Sequence, residues 1–187
     1  MKDVMIDFET LGNGTHKCVC QVGAVYFDKS TGELGKEIRL NIDASSHEKY
    51  GGRIDAKTVY WWLAQADQAR ESILTEPRLD IKEAFLQLNE FLTEAKRIWS
   101  HATFDFVTLM ETMKQLDIKP TFGYKAGLDL RTLVYLSGTS MDKNIREGIH
   151  HDGLDDAKFQ VKYAVKALNV LKTNLKAIKI LEALAND

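Results

Sequence analysis

Apolar residues cluster in two alternating rhythms along this chain, and the change of rhythm sets its architecture. Period-two or continuous apolar runs over 3–9, 18–28 (CVCQVGAVYFD) and about 35–42 (GKEIRLNI) predict three strands, with Lys29-Ser30-Thr31-Gly32 turning the second into the third. Tight connections of this kind make an antiparallel meander. The polar, Gly-rich stretch 43–54 (DASSHEKYGGRI) then predicts a mobile surface loop. From there the spacing becomes helical. Asp55 is placed to N-cap a helix running through Trp61, Trp62 and Leu63. Ile81, Ala84, Phe85, Leu88, Phe91 and Leu92 form an apolar stripe on a helix over 80–94. A short strand at 97–100 (RIWS) precedes a helix from about Phe104 to Leu116, which Pro120 excludes from continuing. Residues 127–130 (GLDL) predict a fifth strand and 131–137 a short helix. A polar loop over 138–150 leads to a long helix from near Gly153 past Leu168, with a weaker helical tail. Three antiparallel strands followed by strand–helix units give an α/β fold, a mixed five-stranded sheet flanked by helices.

Composition narrows the class without naming a function. A chain of 187 residues, 44% hydrophobic and 28% charged, suits one soluble domain over 1–187 with a substantial core. Its net charge of −2 offers no global basic field to a nucleic acid, although local patches outweigh the sum. Cys18 and Cys20 lie two apart on one strand, a poor disulfide pair and too few ligands for zinc, so they read as small buried hydrophobes in a reducing compartment. No signal peptide, membrane-length apolar run or lipidation motif occurs, and the expected location is the cytoplasm, with no membrane partner.

One detail of the first strand resists a purely structural reading. Asp7 and Glu9 flank Phe8 in an otherwise apolar run (VMIDFET), so both carboxylates face the same side of a buried strand. Burial and mutual repulsion both penalise that arrangement. Further acids occur at comparable places. Asp105 sits between Phe104 and Phe106 at a helix start, and Asp156 follows His151 by five residues in HHDGLDDA. Singly, each has a plain account: Asp105 complements a helix dipole, and Asp152, Asp155 and Asp156 decorate a helix N-terminus. Jointly, carboxylates converging from several elements form a hard oxygen site suited to Mg²⁺ or Mn²⁺, whose charge would offset the repulsion.

In its order D-x-E, F-D and H-x-x-x-x-D, carried by Asp7, Glu9, Asp105, His151 and Asp156, the chain resembles the DEDDh 3′–5′ exonucleases. CQVGAV, GLDLRTL and HDGLDDA match further family elements, so the resemblance spans nearly the whole chain. IDFET and VYWWLAQADQAR look most like the small phage exonuclease A (DexA) and short bacterial exoribonuclease group. Two departures stand out. His101 replaces an Asn frequent four residues before the second-motif aspartate, and Gly153 replaces a small Ala. The adjacent His150 and His151 leave two registers with the same gap, to Asp155 or Asp156, and the Leu154-Asp155-Asp156-Ala157 context favours Asp156 and hence His151.

The resemblance implies a ribonuclease H-like fold, with three antiparallel strands followed by two parallel ones. It also implies two divalent ions, Mg²⁺ or Mn²⁺, held by Asp7, Glu9, Asp105 and Asp156, with Asp7 bridging and His151 as general base. The partner would be a single-stranded DNA or RNA with a free 3′ end, cut to nucleoside 5′-monophosphates. Thr10 and Leu11 fall where the family holds the terminal nucleotide, and His101, beside the second motif, is expected to bind substrate with them. Phe8 points to the opposite face of its strand and belongs to the core. Trp61 and Trp62 diverge by about 100° on their helix, so one packs and the other is free to stack on a base, a role Phe104 shares. Lys158, Lys162 and Lys166 read as a solvated helix face. A ribonuclease H-like endonuclease normally lacks the His-x-x-x-x-Asp motif, and a non-catalytic binding module would have lost a ligand. Monomer and homodimer are equally compatible with the sequence.

Overall fold

The computed structural model describes residues 1–185. Its sheet is built from β1 (Asp3–Thr10), β2 (Val19–Phe27), β3 (Leu34–Ile42), β4 (Arg78–Leu79), β5 (Arg97–Ser100) and β6 (Gly127–Asp129), in the order β4-β3-β2-β1-β5-β6. The first three strands pair antiparallel, and β5 and β6 add parallel to β1. This is a mixed α/β, ribonuclease H-like arrangement, with one strand more than the expected five. The extra strand, β4, is two residues long and pairs parallel with Asn41 and Ile42, too short to leave a periodic signal.

The helices are α1 (Ala44–Glu48), α2 (Ala56–Leu63), α3 (Asp67–Leu74), α4 (Ile81–Phe91), α5 (Asp105–Gln115), α6 (Leu130–Ser137) and α7 (Gly153–Ala185). Strand alternation sorts β1 between the two faces. Val4, Ile6 and Phe8 join α4 and α5 in one core, while Met5 joins α6 and α7 in the other. Phe8 stacks on Phe85 with ring centroids 5.9 Å apart, the core role its orientation implied. Asp7 and Glu9 therefore face α7.

The segment 43–54 departs from the mobile loop expected of its composition. Asp43 caps α1, the buried His47 accepts the Val19 amide through Nδ1 at 3.0 Å, and the Ser46 hydroxyl accepts the Ile81 amide at 2.9 Å. Polar residues here satisfy backbone donors between elements, a role that polarity alone does not disclose. The α3 helix was also invisible to periodicity, since only Ala69, Ser72 and Ile73 of its eight residues are buried.

The N-terminus of α7 lies directly on β2. A Cβ at Gly23 would stand 2.0 Å from the Leu154 nitrogen, and one at Gly153 would stand 2.9 Å from the Gly23 nitrogen. Gly153 thus gives up helix propensity to let two backbones touch. Alongside, Gln21 accepts the Gly153 amide at 2.6 Å and donates to Asn41 and Ser72, and the fully buried Asp152 takes hydrogen bonds from Arg39 (2.8 Å) and Ser72 (2.5 Å). Gly23→Ala is expected to lower stability by roughly 1–3 kcal/mol or more, because the clash is with main chain that has no rotamer to change. A urea midpoint equal to wild type would show that the helix start moves aside freely.

Candidate active site

Parallel pairing of β1 with β5 stops at Met5, so the β1 edge beyond it has no strand partner on that side. The Phe8 amide in this gap donates to the Asp105 carboxylate at 3.1 Å, and the His101 amide donates to its other oxygen at 3.0 Å. These bonds set Asp105 at the head of α5, facing the carboxylates of β1. From the other side α7 brings Asp156, and Gln160 one turn later donates to Asp7 Oδ1 at 2.5 Å. Asp7, Glu9, Asp105 and Asp156 are all buried.

Two overlapping groups result. Asp7, Glu9 and Asp156 present oxygens within 4.8 Å of one another, and carboxylate oxygens of Asp7 and Asp105 lie equally close to each other and to a ring nitrogen of His101. Asp7 belongs to both. A third group joins His150, His151 and Asp156. Burial pushes the Asp7 carboxyl well above the usual range, and the charges of Asp105, Glu9 and Asp156 push it further. Glu9 is raised by burial and then by Asp156 and Asp105. Asp105 rises to about 7, burial outweighing the two amide bonds it accepts. The cluster is a set of hard oxygen donors under mutual repulsion, the condition that a small divalent cation relieves.

All five motif residues line one cavity of about 370 Å³, with His101, Arg131, Arg146, His150 and Tyr163 also on its wall. His151 adopts φ +66°, an uncommon backbone state that histidine tolerates better than most residues. Its ring meets Trp61 edge-on at 4.8 Å and stacks on His150 at 3.7 Å. Burial, reinforced by the positive charge of His150, keeps its pKa below the ordinary histidine value, which favours the neutral ring. Asp155, one residue before Asp156, turns away and accepts the Ile149 amide at 2.7 Å. The 100° step between adjacent helical residues separates the two aspartates.

A second cavity of similar volume opens beside the first, sharing Phe8, Glu9 and Phe104 and adding Thr10, Asn13, Lys57, Thr58 and Trp61. Trp61 is 44% exposed, whereas Trp62 is 4% exposed and donates its Nε1 to the Thr10 carbonyl at 2.9 Å. The pair divides as helical geometry requires, Trp62 packing and Trp61 remaining open. Leu11, expected where the terminal nucleotide is held, packs against the small core of Trp62, Cys20, Ala69 and Ile73. Two of the three α7 lysines are engaged, Lys158 with Glu37 and Lys162 with Glu147, in keeping with a solvated helix face.

Several participants had no signature in the sequence. Lys17 is buried, donates to Thr108 Oγ1 at 3.1 Å and lies 4.4 Å over the Phe104 ring. Gln160 is traceable only through its i+4 relation to Asp156 on α7. Arg146, from the polar loop before α7, pairs with Asp156, and nothing local to it foretold that contact.

A sheet of this topology gathers four carboxylates at the split between β1 and β5, with a histidine beside them, which is the arrangement that the sequence motifs implied. The chain belongs to the Rv2179c-like family, whose 3′-5′ exoribonuclease domain matches residues 2–168. It is 25% identical over 132 residues to the exodeoxyribonuclease of Enterobacteria phage T4, covering 62% of this chain and 57% of that one. The chain thus spans little more than half the length of the curated relative it matches. The nuclease domain of 3′hExo, a DEDDh family member bound to rAMP, superposes with a TM-score of 0.55 at 14% identity, covering 89% of this chain and 91% of that one. E. coli exonuclease I in complex with a dT13 oligonucleotide gives 0.56 at 14%, covering 90% and 40%. At these identities the likeness is one of fold.

Proposed function

We propose that this chain is a metal-dependent 3′–5′ exonuclease, a single domain over residues 1–187, that removes nucleoside 5′-monophosphates from single-stranded nucleic acid. The observation that carries the reading is the sharing of Asp7 between two ligand groups in one cavity. Asp7, Glu9 and Asp156 would hold one ion, Mg²⁺ or Mn²⁺, and Asp7 with Asp105 a second. When bound, such a pair stabilises the attacking and leaving oxygens of an in-line phosphoryl displacement. The remaining work falls to the protein. His151, kept neutral by its partly buried setting, takes the proton of the attacking water as general base. Trp61 and His150 hold its ring against the cavity. The P–O3′ bond to the penultimate nucleotide breaks, leaving a new 3′-hydroxyl on the shortened strand.

The adjoining cavity suits the terminal nucleotide, with Trp61 and Phe104 offering ring faces and Thr10 a polar edge beside Glu9. Entry at this site requires an unstacked end, so a single strand is the preferred form. The family description supports RNA and the phage relative's name supports DNA, and both are proposed as substrates. Buried, unpaired Cys18 and Cys20 suit the reducing cytoplasm. Among the described residues no helix is long and apolar enough to cross a membrane.

The test is incubation of pure protein with 5′-labelled RNA and DNA oligomers in Mg²⁺, Mn²⁺ or EDTA. A descending ladder that needs metal and is blocked by a 3′-phosphate is expected. Immediate release of a labelled mononucleotide would show that the polarity is reversed.

A further inference from the structure

We propose that Arg146 is a resident counter-ion for Asp156, occupying that carboxylate until a divalent cation displaces it. Metal loading and rearrangement of the segment carrying Arg146 are then one event. The inference rests on the proposed role of Asp156 as a metal ligand.

Among the described residues, Arg146 alone makes an ion pair with any of the four clustered carboxylates, its Nη1 meeting Asp156 Oδ1. Its guanidinium also lies 4.2 Å over the Phe159 ring, one turn along α7 from Asp156. The contact is therefore built from both sides. Its stacking partner and its carboxylate belong to one helix, while Arg146 comes from the loop before it. The side chain is 22% exposed, so the pair is shielded from water and only weakly screened by salt.

The same geometry makes the contact exclusive. Asp156 belongs to the ligand group with Asp7 and Glu9 and also to the group with His150 and His151. An arginine against its Oδ1 sets a positive charge where a bound ion would set another, and like charges at that spacing repel. Arginine retains its proton at all working pH values, so it can yield only by moving.

The loop can release Arg146 without coming apart. Lys162 holds the Ile145 carbonyl at 3.1 Å and Glu147 at 2.8 Å, and Asp155 holds the Ile149 amide at 2.7 Å. Gly148, at φ +79° and packed against Asp155, lies between those anchors. Displaced from Asp156, Arg146 remains on the cavity wall with Arg131, where a substrate phosphate would meet both.

The experiment is Mn²⁺ binding by calorimetry to wild type, Arg146→Gln and Arg146→Lys, with Asp156→Asn as the reference for a lost ligand. Arg146→Gln is expected to bind Mn²⁺ roughly fivefold tighter or more, the size of an ordinary coupling between two sites, with Arg146→Lys closer to wild type. In EDTA, Arg146→Gln should melt below wild type, and saturating Mn²⁺ should abolish that difference. Equal or weaker Mn²⁺ binding by Arg146→Gln, with wild-type binding intact and lost in Asp156→Asn, overturns the counter-ion role alone. Absence of Mn²⁺ binding by wild type overturns the metal reading and this inference with it.

Discussion

His151→Ala is expected to lower turnover by about 10²–10⁴-fold, the usual contribution of a positioned general base, while leaving metal-dependent binding of a single-stranded oligomer in place. The separation follows from geometry. The four carboxylates reach the cavity from β1, α5 and α7 and owe none of their hydrogen bonds to His151. The ring instead meets Trp61 and His150, and its φ of +66° is a strained state that alanine has no side-chain contact to maintain. His150→Ala should cost far less, since the register that joins His151 to Asp156 makes His150 the supporting ring. Turnover at saturating metal should rise with pH through the His151 titration, on the acid side of the ordinary histidine value because burial disfavours the charged ring. That limb should vanish in His151→Ala. Inactivity of His150→Ala with activity retained in His151→Ala would reverse the register.

How much of this was legible beforehand differs between strand and tertiary contact. Asp7 and Glu9 announced themselves because a carboxylate inside an apolar strand carries a penalty that some other group must offset, and alternation then fixed their common face. Asp156 was separable from Asp155 by sequence context, and the helical step explains the outcome. Asp152 was the harder case. It reads as helix decoration, and it does cap α7 through Leu154 and Asp155, yet it also anchors that helix to Arg39 and Ser72 from distant elements. Contacts of this kind span 80 or more residues and leave no local trace. The same reason hid Lys17, whose partner Thr108 is 91 residues away, while His47 and Arg146 meet partners only 28 and 10 residues away that no periodic pattern marks. The small core that Leu11 joins, with Cys20, Trp62, Ala69 and Ile73, likewise gathers residues from separate elements.

Asp7→Asn carries the largest expected effect in two opposed directions. Hydrolysis should fall roughly 10³-fold or more, because the residue common to both ligand groups no longer bears charge, and several kcal/mol of transition-state stabilisation go with it. The metal-free protein should become more stable. Asp7, Glu9 and Asp105 all have folded-state pKa values above their unfolded ones. Groups of that sign contribute fully below the unfolded pKa and lose the contribution as pH rises through the folded one. In EDTA, wild type should therefore lose stability from about pH 4 upward, with the Asp105 part of that loss complete once the pH passes about 7. An asparagine at position 7 keeps an acceptor for Gln160 and cannot ionise, which also lowers the repulsion felt by Glu9 and Asp105. Each kcal/mol relieved raises Tm by roughly 2–4 °C in a chain of this size. The variant should melt above wild type at pH 8 in EDTA, and the two should converge near pH 5. With Mn²⁺ at about 100 times its Kd, wild type should gain about 2.7 kcal/mol and the variant far less, so their order inverts. A variant that unfolds in EDTA at pH 8 would assign Asp7 a structural role, and one that gains as much from Mn²⁺ as wild type would remove Asp7 from the metal site.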